Sequence, residues 1–400
     1  GGAWYDGYAN VFIGDSAGYS NTTSYENTFV GSNAGFSSTG GKNTFVGAYA
    51  GWKNTTGSNN IFLGSYAGLY NTTGHKNVFV GKGTGRENTT GVVNTFVGDA
   101  AGQHNTTASE NVSIGFEAGR KTTVGSSNTV MGAYAGHENL TGYNNAFFGI
   151  KAGYSNTVSN NSFFGGYAGY TNTTGESNTF MGYNSGYSNT TASNNTMLGY
   201  EAGKANTTGA SNTFLGSYAG FANTTGYNNS FFGKSAGNNN TTGYQNVFLG
   251  QYAGGSNTTG SNNIYIGDTA GGSSTTAGGN IFIGRASGED NTTSEGNTFV
   301  GIYTGIDNTA ADNTFIGSSA GKYNTTGTEN TFVGASAGVQ NTTGASNTFI
   351  GIYSGTSNTT ANYNVFVGTG SGSSNTTGTR NVFLGRLAGE ENTTANDNTM

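Results

Sequence analysis

An asparagine returns every 17 residues along almost the whole of this chain. It stands at Asn10, Asn27, Asn43, Asn60 and onward to Asn398, giving 24 positions and 23 intervals. Twenty intervals are 17 residues long and three, beginning at Asn27, Asn145 and Asn297, are 16. With that asparagine as position 0, the motif reads Asn-x-Phe-(Val/Ile/Leu)-Gly-x-x-Ala-Gly-x-x-Asn-Thr-Thr-Gly-x-x. The short repeats lose their residue between the second glycine and the next asparagine, which reads as an outward loop. Self-similarity at a fixed period means a repeat architecture, in which one repeat buries its core only against the next.

The columns decide which architecture. Position +2 is Phe in 19 of 24 copies, +3 is apolar in all 23 complete copies, and +4 and +8 are Gly in all 23. Position +11 is Asn in 20 of 23. Helical-pair repeats need about 33–47 residues, and two glycines per turn cost about 1 kcal/mol each in a helix. The run Thr/Val-Phe-Val/Ile, bounded by Gly and Asn, reads as a short strand. One strand per 17 residues predicts an all-β fold, a parallel β-solenoid of 23–24 coils rising about 4.8 Å each, a rod on the order of 110 Å. The whole chain, 1–400, reads as one continuous array and a segment of something longer and fibrous. Gly1 falls at phase +8 and Met400 at +2, so subunits stacking end to end into a filament is the other expectation.

Composition alone suggests disorder, since 72 of 400 residues are Gly and only 8% are charged. The register argues otherwise, because 59 of those glycines fall at +4, +8 or +14. Stacking then assigns roles. The asparagines at 0 (Asn10, Asn27, Asn60, Asn212, Asn347) and at +11 lie above one another, so their amides are expected to form ladders. Phe12, Phe29, Phe62, Phe214 and Phe349 stack coil on coil. Gly14 and Gly18, at +4 and +8, supply positive φ or close backbone approach. Ala at +7 fits a tight interior. The absence of proline suits a ladder that needs every N–H donor.

Adjacent strand residues face opposite sides, yet +2 and +3 are both apolar. One of the two columns must therefore lie on the outside, as a patch far above a few hundred Å². The expectation is self-association through that face, most simply a homotrimer around a central axis.

Other functions find little support. Fourteen basic residues and a net charge of −6 give no nucleic-acid patch. No cysteine means no disulfide, thiolate zinc site or cysteine nucleophile. No run of about 18 apolar residues exists to span a membrane. His75, His104 and His137 each occur once in a variable column and read as solvent-exposed loop residues. Asp15, Asp99 and Asp268 share phase +5 on distant coils, so no carboxylate pair forms. Eight Asp in all exclude a calcium nonapeptide roll, and no Gly-Lys-Thr/Ser follows the glycines. No catalytic, metal or cofactor residue is assigned, and the chain reads as no enzyme.

The repeat Asn-Thr-Phe-Val-Gly-x-x-Ala-Gly-x-x-Asn-Thr-Thr-Gly resembles the Asn-Thr-Ala-Val-Gly-type repeats of phage tail-fibre and bacterial surface proteins. More distantly it resembles the YadA-like heads of trimeric autotransporter adhesins. The similarity covers essentially the whole chain, with Phe in place of a small residue at +2 and Gly in place of a bulkier one at +8. The resemblance implies a left-handed parallel β-roll, usually trimeric, displayed outside the cell or on a virion.

Three further features bear on partners. Eighteen of the +11 asparagines, among them Asn21, Asn54, Asn71 and Asn392, begin Asn-x-Thr sequons that a glycosylating host would modify; turn chemistry explains them as well. The Thr rows suggest an ice-binding face, although Thr at +12 and +13 are adjacent and should point oppositely. Tyr49, Tyr66, Tyr134 and Tyr167 at +6, with Trp52 at +9, are candidates for contact with surface glycans or receptors, or for packing between coils. Together these readings predict an extracellular, cell-surface structural fibre or adhesin rod. A phage host-recognition fibre is the first alternative and an ice-binding solenoid the second.

Overall fold

The structure, a computed structural model, describes residues 9–400. Gly1, read above as the +8 position of an earlier coil, lies outside them. The fold is the expected parallel β-solenoid with a 17-residue repeat. The chain falls into two compact units, Gly1–Asn195 and Thr196–Met400. The first holds strands β1 (Val11–Ile13) to β11 (Thr179–Met181), and the second β12 (Thr196–Leu198) to β23 (Val382–Leu384).

Every strand is three residues long, the +1 to +3 segment. Within each unit a strand pairs in parallel with its sequence neighbour, like residue on like: Phe29 beside Phe45, Phe214 beside Phe231. Because partners lie one repeat apart, each column becomes a line running through the stack.

The interior is narrow and has two halves. One is filled by the ring at +2, and Phe29, Phe62, Phe214 and Phe349 are fully buried. Rings of successive coils lie parallel, with centroids 5.0 Å apart for Phe12–Phe29 and 4.8 Å for Phe62–Phe79. Burying one is worth about 1.5–3 kcal/mol. The wall opposite the ring is the +7 Ala and the +8 Gly. A Cβ on Gly18 would lie 2.9 Å from the Phe12 ring, so nothing larger than hydrogen fits there. The +4 corner is closed by backbone instead: a Cβ on Gly14 would lie 2.6 Å from the Gly31 carbonyl of the next coil, at φ +132°. Both glycine expectations are met, each by a different contact.

The asparagines fill the other half, and the two columns work differently. At +11 the amides form the expected ladder: Asn71 Nδ2 donates to Asn54 Oδ1 at 2.7 Å and to its own loop carbonyl at Gly74. At position 0 the side chain mainly serves backbone. Asn10 Oδ1 accepts from the Asn27 N–H, Asn27 Oδ1 from Asn43, and Asn212 Oδ1 from Asn229. Asn60 Nδ2 donates to the Gly74 carbonyl, and Asn347 Nδ2 to that of Ala361, with a second contact to Asn330. An amide held between two coils satisfies backbone groups that the three-residue strand leaves over.

Between the glycines the chain runs through consecutive tight turns, whose hydrogen bonds still reach the adjacent coil, as from Gly18 N to Ala34 O. Two non-glycine positions per coil, +6 and +16, adopt positive φ, for example Tyr66 at 63° and Asn59 at 56°. Each such residue costs about 1–2 kcal/mol, offset by the inter-coil bonds on either side.

Candidate functional site

The outer surface carries whatever this protein does, because the interior is fully occupied. Among the described residues no group of His, Asp or Glu could hold a metal ion. Four outward features remain.

The first is the sheet face. With Phe turned inward, +1 and +3 point out together; Leu63, Leu215, Leu249 and Ile316 at +3 and Ile61, Val247 and Ile264 at +1 are half-buried to exposed. None of the 24 residues at +1 or the 23 at +3 is charged. The strip is three residues wide, about 10 Å, and runs about 50 Å in each unit at the strand spacing, about 500 Å² and comparable with the largest patches found on monomers; Thr and Ser fill many of the +1 positions.

The second is aromatic. Tyr49 lies parallel to Tyr66 at 5.5 Å and edge-on to Trp52 at 6.3 Å. Tyr134 meets Phe116 edge-on, and Tyr167 tilts against Tyr170. Lys151 lies over the rings of Tyr134, Tyr167 and Tyr170. These residues pack on one another between coils. Tyr66 is the most open of the five, at 40% exposure.

The third is the Asn-Thr-Thr loop. Asn54 and Asn71 are fully buried, and both amide protons of each are engaged. Asn21 and Asn392 are half-buried, Asn21 bonded to Ser24 and Asn392 to Asn375 and Ala395. A glycan on Asn54 or Asn71 would have to displace the ladder, so the folded coil offers turn chemistry there rather than an acceptor. The two threonines diverge as expected. Thr55 and Thr72 at +12 turn their hydroxyls to the carbonyls of the next coil, while Thr56 and Thr73 at +13 are exposed. A single outward Thr row remains, and the short coils omit that residue.

The fourth is an ion-pair cluster. His137 is buried, not the exposed loop residue its variable column suggests. Its ring lies parallel to Tyr154 at 5.0 Å, with Nε2 at 3.1 Å from Glu117 and Nδ1 at 2.8 Å from Glu138. Both contacts are hydrogen bonds only when the ring carries two protons. Arg120 reaches Glu117, and Lys121 reaches Glu138 at 2.7 Å. Burial pushes the Glu138 carboxyl up, but the bonds and charges of Lys121 and His137 outweigh it and hold it below its ordinary value. Lys121–Glu138 and His137–Glu117 join neighbouring coils, pairings hidden in sequence because the partners lie 17 and 20 residues apart, while Arg120–Glu117 and His137–Glu138 close within a coil. His104 and Glu87 repeat the pattern at 2.9 Å, and His75 is exposed.

No family model matches the chain, and no curated protein matches it.

Proposed function

We propose that this chain is a structural segment of an extracellular fibre, which self-associates through the charge-free +1/+3 face and serves attachment or spacing at a surface. The observation that carries the reading is that face: 47 outward positions without one charged side chain, in a chain that places its 34 charged residues elsewhere. A solvated surface has no reason to exclude charge from one strip, whereas a second copy of the same strip is matched to it residue for residue. Three copies around a common axis cover all three strips at once, with the resemblance to trimeric surface and tail-fibre repeats pointing the same way. Mechanical stiffness would come from the Phe and Asn lines, which tie each coil to the next.

Light scattering on the purified chain tests this. The expected mass is a multiple of one chain, and replacing Leu215, Leu249 and Ile283 with Lys should return it to one chain with unchanged circular dichroism. A native chain that is monomeric at tens of micromolar would overturn the proposal.

A further inference from the structure

The outward +6 column is bulky through most of the first unit: Tyr49, Tyr66, then Glu117, Tyr134, Lys151, Tyr167. Between Tyr66 and Glu117 it holds Gly83 and Ala100. Two successive small residues open a notch of about 460 Å³, with Tyr66, Lys82, Arg86, Asp99, Gln103 and Arg120 around it. That volume falls within the range of small-molecule sites. A Cβ on Gly83 would meet only Gln103 Nε2, at 4.0 Å, so the floor is open space.

The walls are equipped for a ligand. Tyr49 covers one face of the Tyr66 ring. The next residue of the column is Gly83, which covers nothing, so the other face looks into the notch. Arg86 Nε is buried and has no hydrogen-bond partner among the described residues. Among the described residues neither Arg86 nor Lys82 forms an ion pair. Arg120 is committed: it donates to Gln103 Oε1 at 2.9 Å and to Glu117 at 3.2 Å. That bond fixes the Gln103 amide and leaves its Nε2 at the notch. A buried, unpaired guanidinium nitrogen is costly unless something completes it.

We infer that this notch binds one carboxylated sugar ring of an acidic glycan. Arg86 and Lys82 take the carboxylate, which offsets the charge that Asp99 alone leaves uncompensated. The apolar face of the pyranose lies on the free face of Tyr66, and the Asp99 carboxylate and Gln103 amide serve its hydroxyls. An aromatic acid fits less well, because Tyr66 is the only apolar wall. The site lies at +5, +6 and +9, off the +1/+3 strip, so it stands whether or not the chains associate.

Titration calorimetry with trigalacturonate, 3′-sialyllactose, maltotriose and acetate tests it. At least one carboxylated sugar should bind ten-fold or more tightly than maltotriose and acetate. Gly83→Tyr refills the column with the residue that eight other coils hold there, at the backbone angle Gly83 already has (φ 63°, as at Tyr66). It should therefore fold, with an unchanged melting temperature, and weaken binding at least ten-fold. Arg86→Gln should do the same without touching the floor. The inference is overturned if neither carboxylated sugar binds, if acetate or maltotriose binds as well, or if both variants bind like the native chain.

Discussion

Two coils depart from the repeat in the same two interior columns. The coil starting at Asn111 carries Ser113 at +2 and Thr122 at +11, and the coil starting at Asn263 carries Tyr265 and Ser274. In the second unit the change is self-compensating. The Tyr265 ring stays in the stack, 4.9 Å from both Phe248 and Phe282, and its hydroxyl meets Ser274 Oγ at 2.9 Å. The shorter side chain at +11 makes room for the extra oxygen and bonds to it. From Phe214 to Phe383 the ring column is unbroken. In the first unit Ser113 and the following Val130 interrupt the column between Phe96 and Phe147. Both substitutions at +11 leave the preceding asparagine short of a donor: Asn105 Oδ1 and Asn257 Oδ1 have no partner among the described residues. Only the first unit, however, answers with the Glu117–Arg120–Lys121–His137–Glu138 cluster on the outside of the same coils. Cohesion lost inside has a counterpart outside.

The largest effect should come from making the second unit resemble the first. Phe248→Ala removes a fully buried ring between two others and leaves a cavity that the Gly-walled coil cannot collapse, at a cost of about 3–5 kcal/mol. Urea unfolding measures it, and a loss below about 1 kcal/mol would mean the ring column is not what holds the coils together.

Alkaline pH should break the self-compensating coil next. Burial pushes the Tyr265 phenol up to about 12, against a smaller opposing effect of its bond to Ser274. The unfolded chain ionises at about pH 10 and the folded one does not, so the contribution is whole below pH 10 and is lost as pH rises toward 12. Two pH units correspond to a loss on the order of 3 kcal/mol. Stability should fall across that window in the native chain and fall less in Tyr265→Phe, as urea midpoints at pH 9 and pH 11.5 will report.

Much of this was legible beforehand because it lies in the invariant columns. A period that never loses phase gives the strand, the inward ring and the Gly corners, each a local property of one coil. The inter-coil chemistry was harder. Whether an Asn amide meets another amide or a backbone carbonyl depends on where the neighbouring coil places its +14 carbonyl, and the motif reads the same either way. The positive φ at +6 has no signal at all, because Tyr, Ser, Glu and Lys all occupy it. Gly83 and Ala100 look like ordinary variation until the stack shows that they are successive in one column. His137 looks like a stray loop residue for the same reason.

Mending the first unit should give a smaller effect of opposite sign. Ser113→Phe restores a ring next to Phe96, and Thr122→Asn supplies the donor that Asn105 Oδ1 lacks. The pair should gain about 1–3 kcal/mol in urea unfolding. No gain would mean that the coil has already closed over the missing ring.

The smallest effect decides whether the outer cluster compensates for the inner gap or merely lies near it. His137→Ala removes the contacts to Glu117 and Glu138 and the stacking on Tyr154. Alone it should cost about 1–2 kcal/mol, more than an exposed ion pair because the imidazole is buried. In the Ser113→Phe, Thr122→Asn background the cost should fall by about 0.5–1 kcal/mol, since a mended interior holds these coils without the clamp. Lowering the pH should act on the same clamp: the Glu138 carboxyl, held below its ordinary value, contributes stability above the unfolded carboxylate range and loses it as pH falls through its folded pKa. The loss on acidification should therefore also be smaller in the mended chain. Equal costs in the two backgrounds would make the cluster an independent surface feature, and the asymmetry between the two units would then rest on the ring column alone.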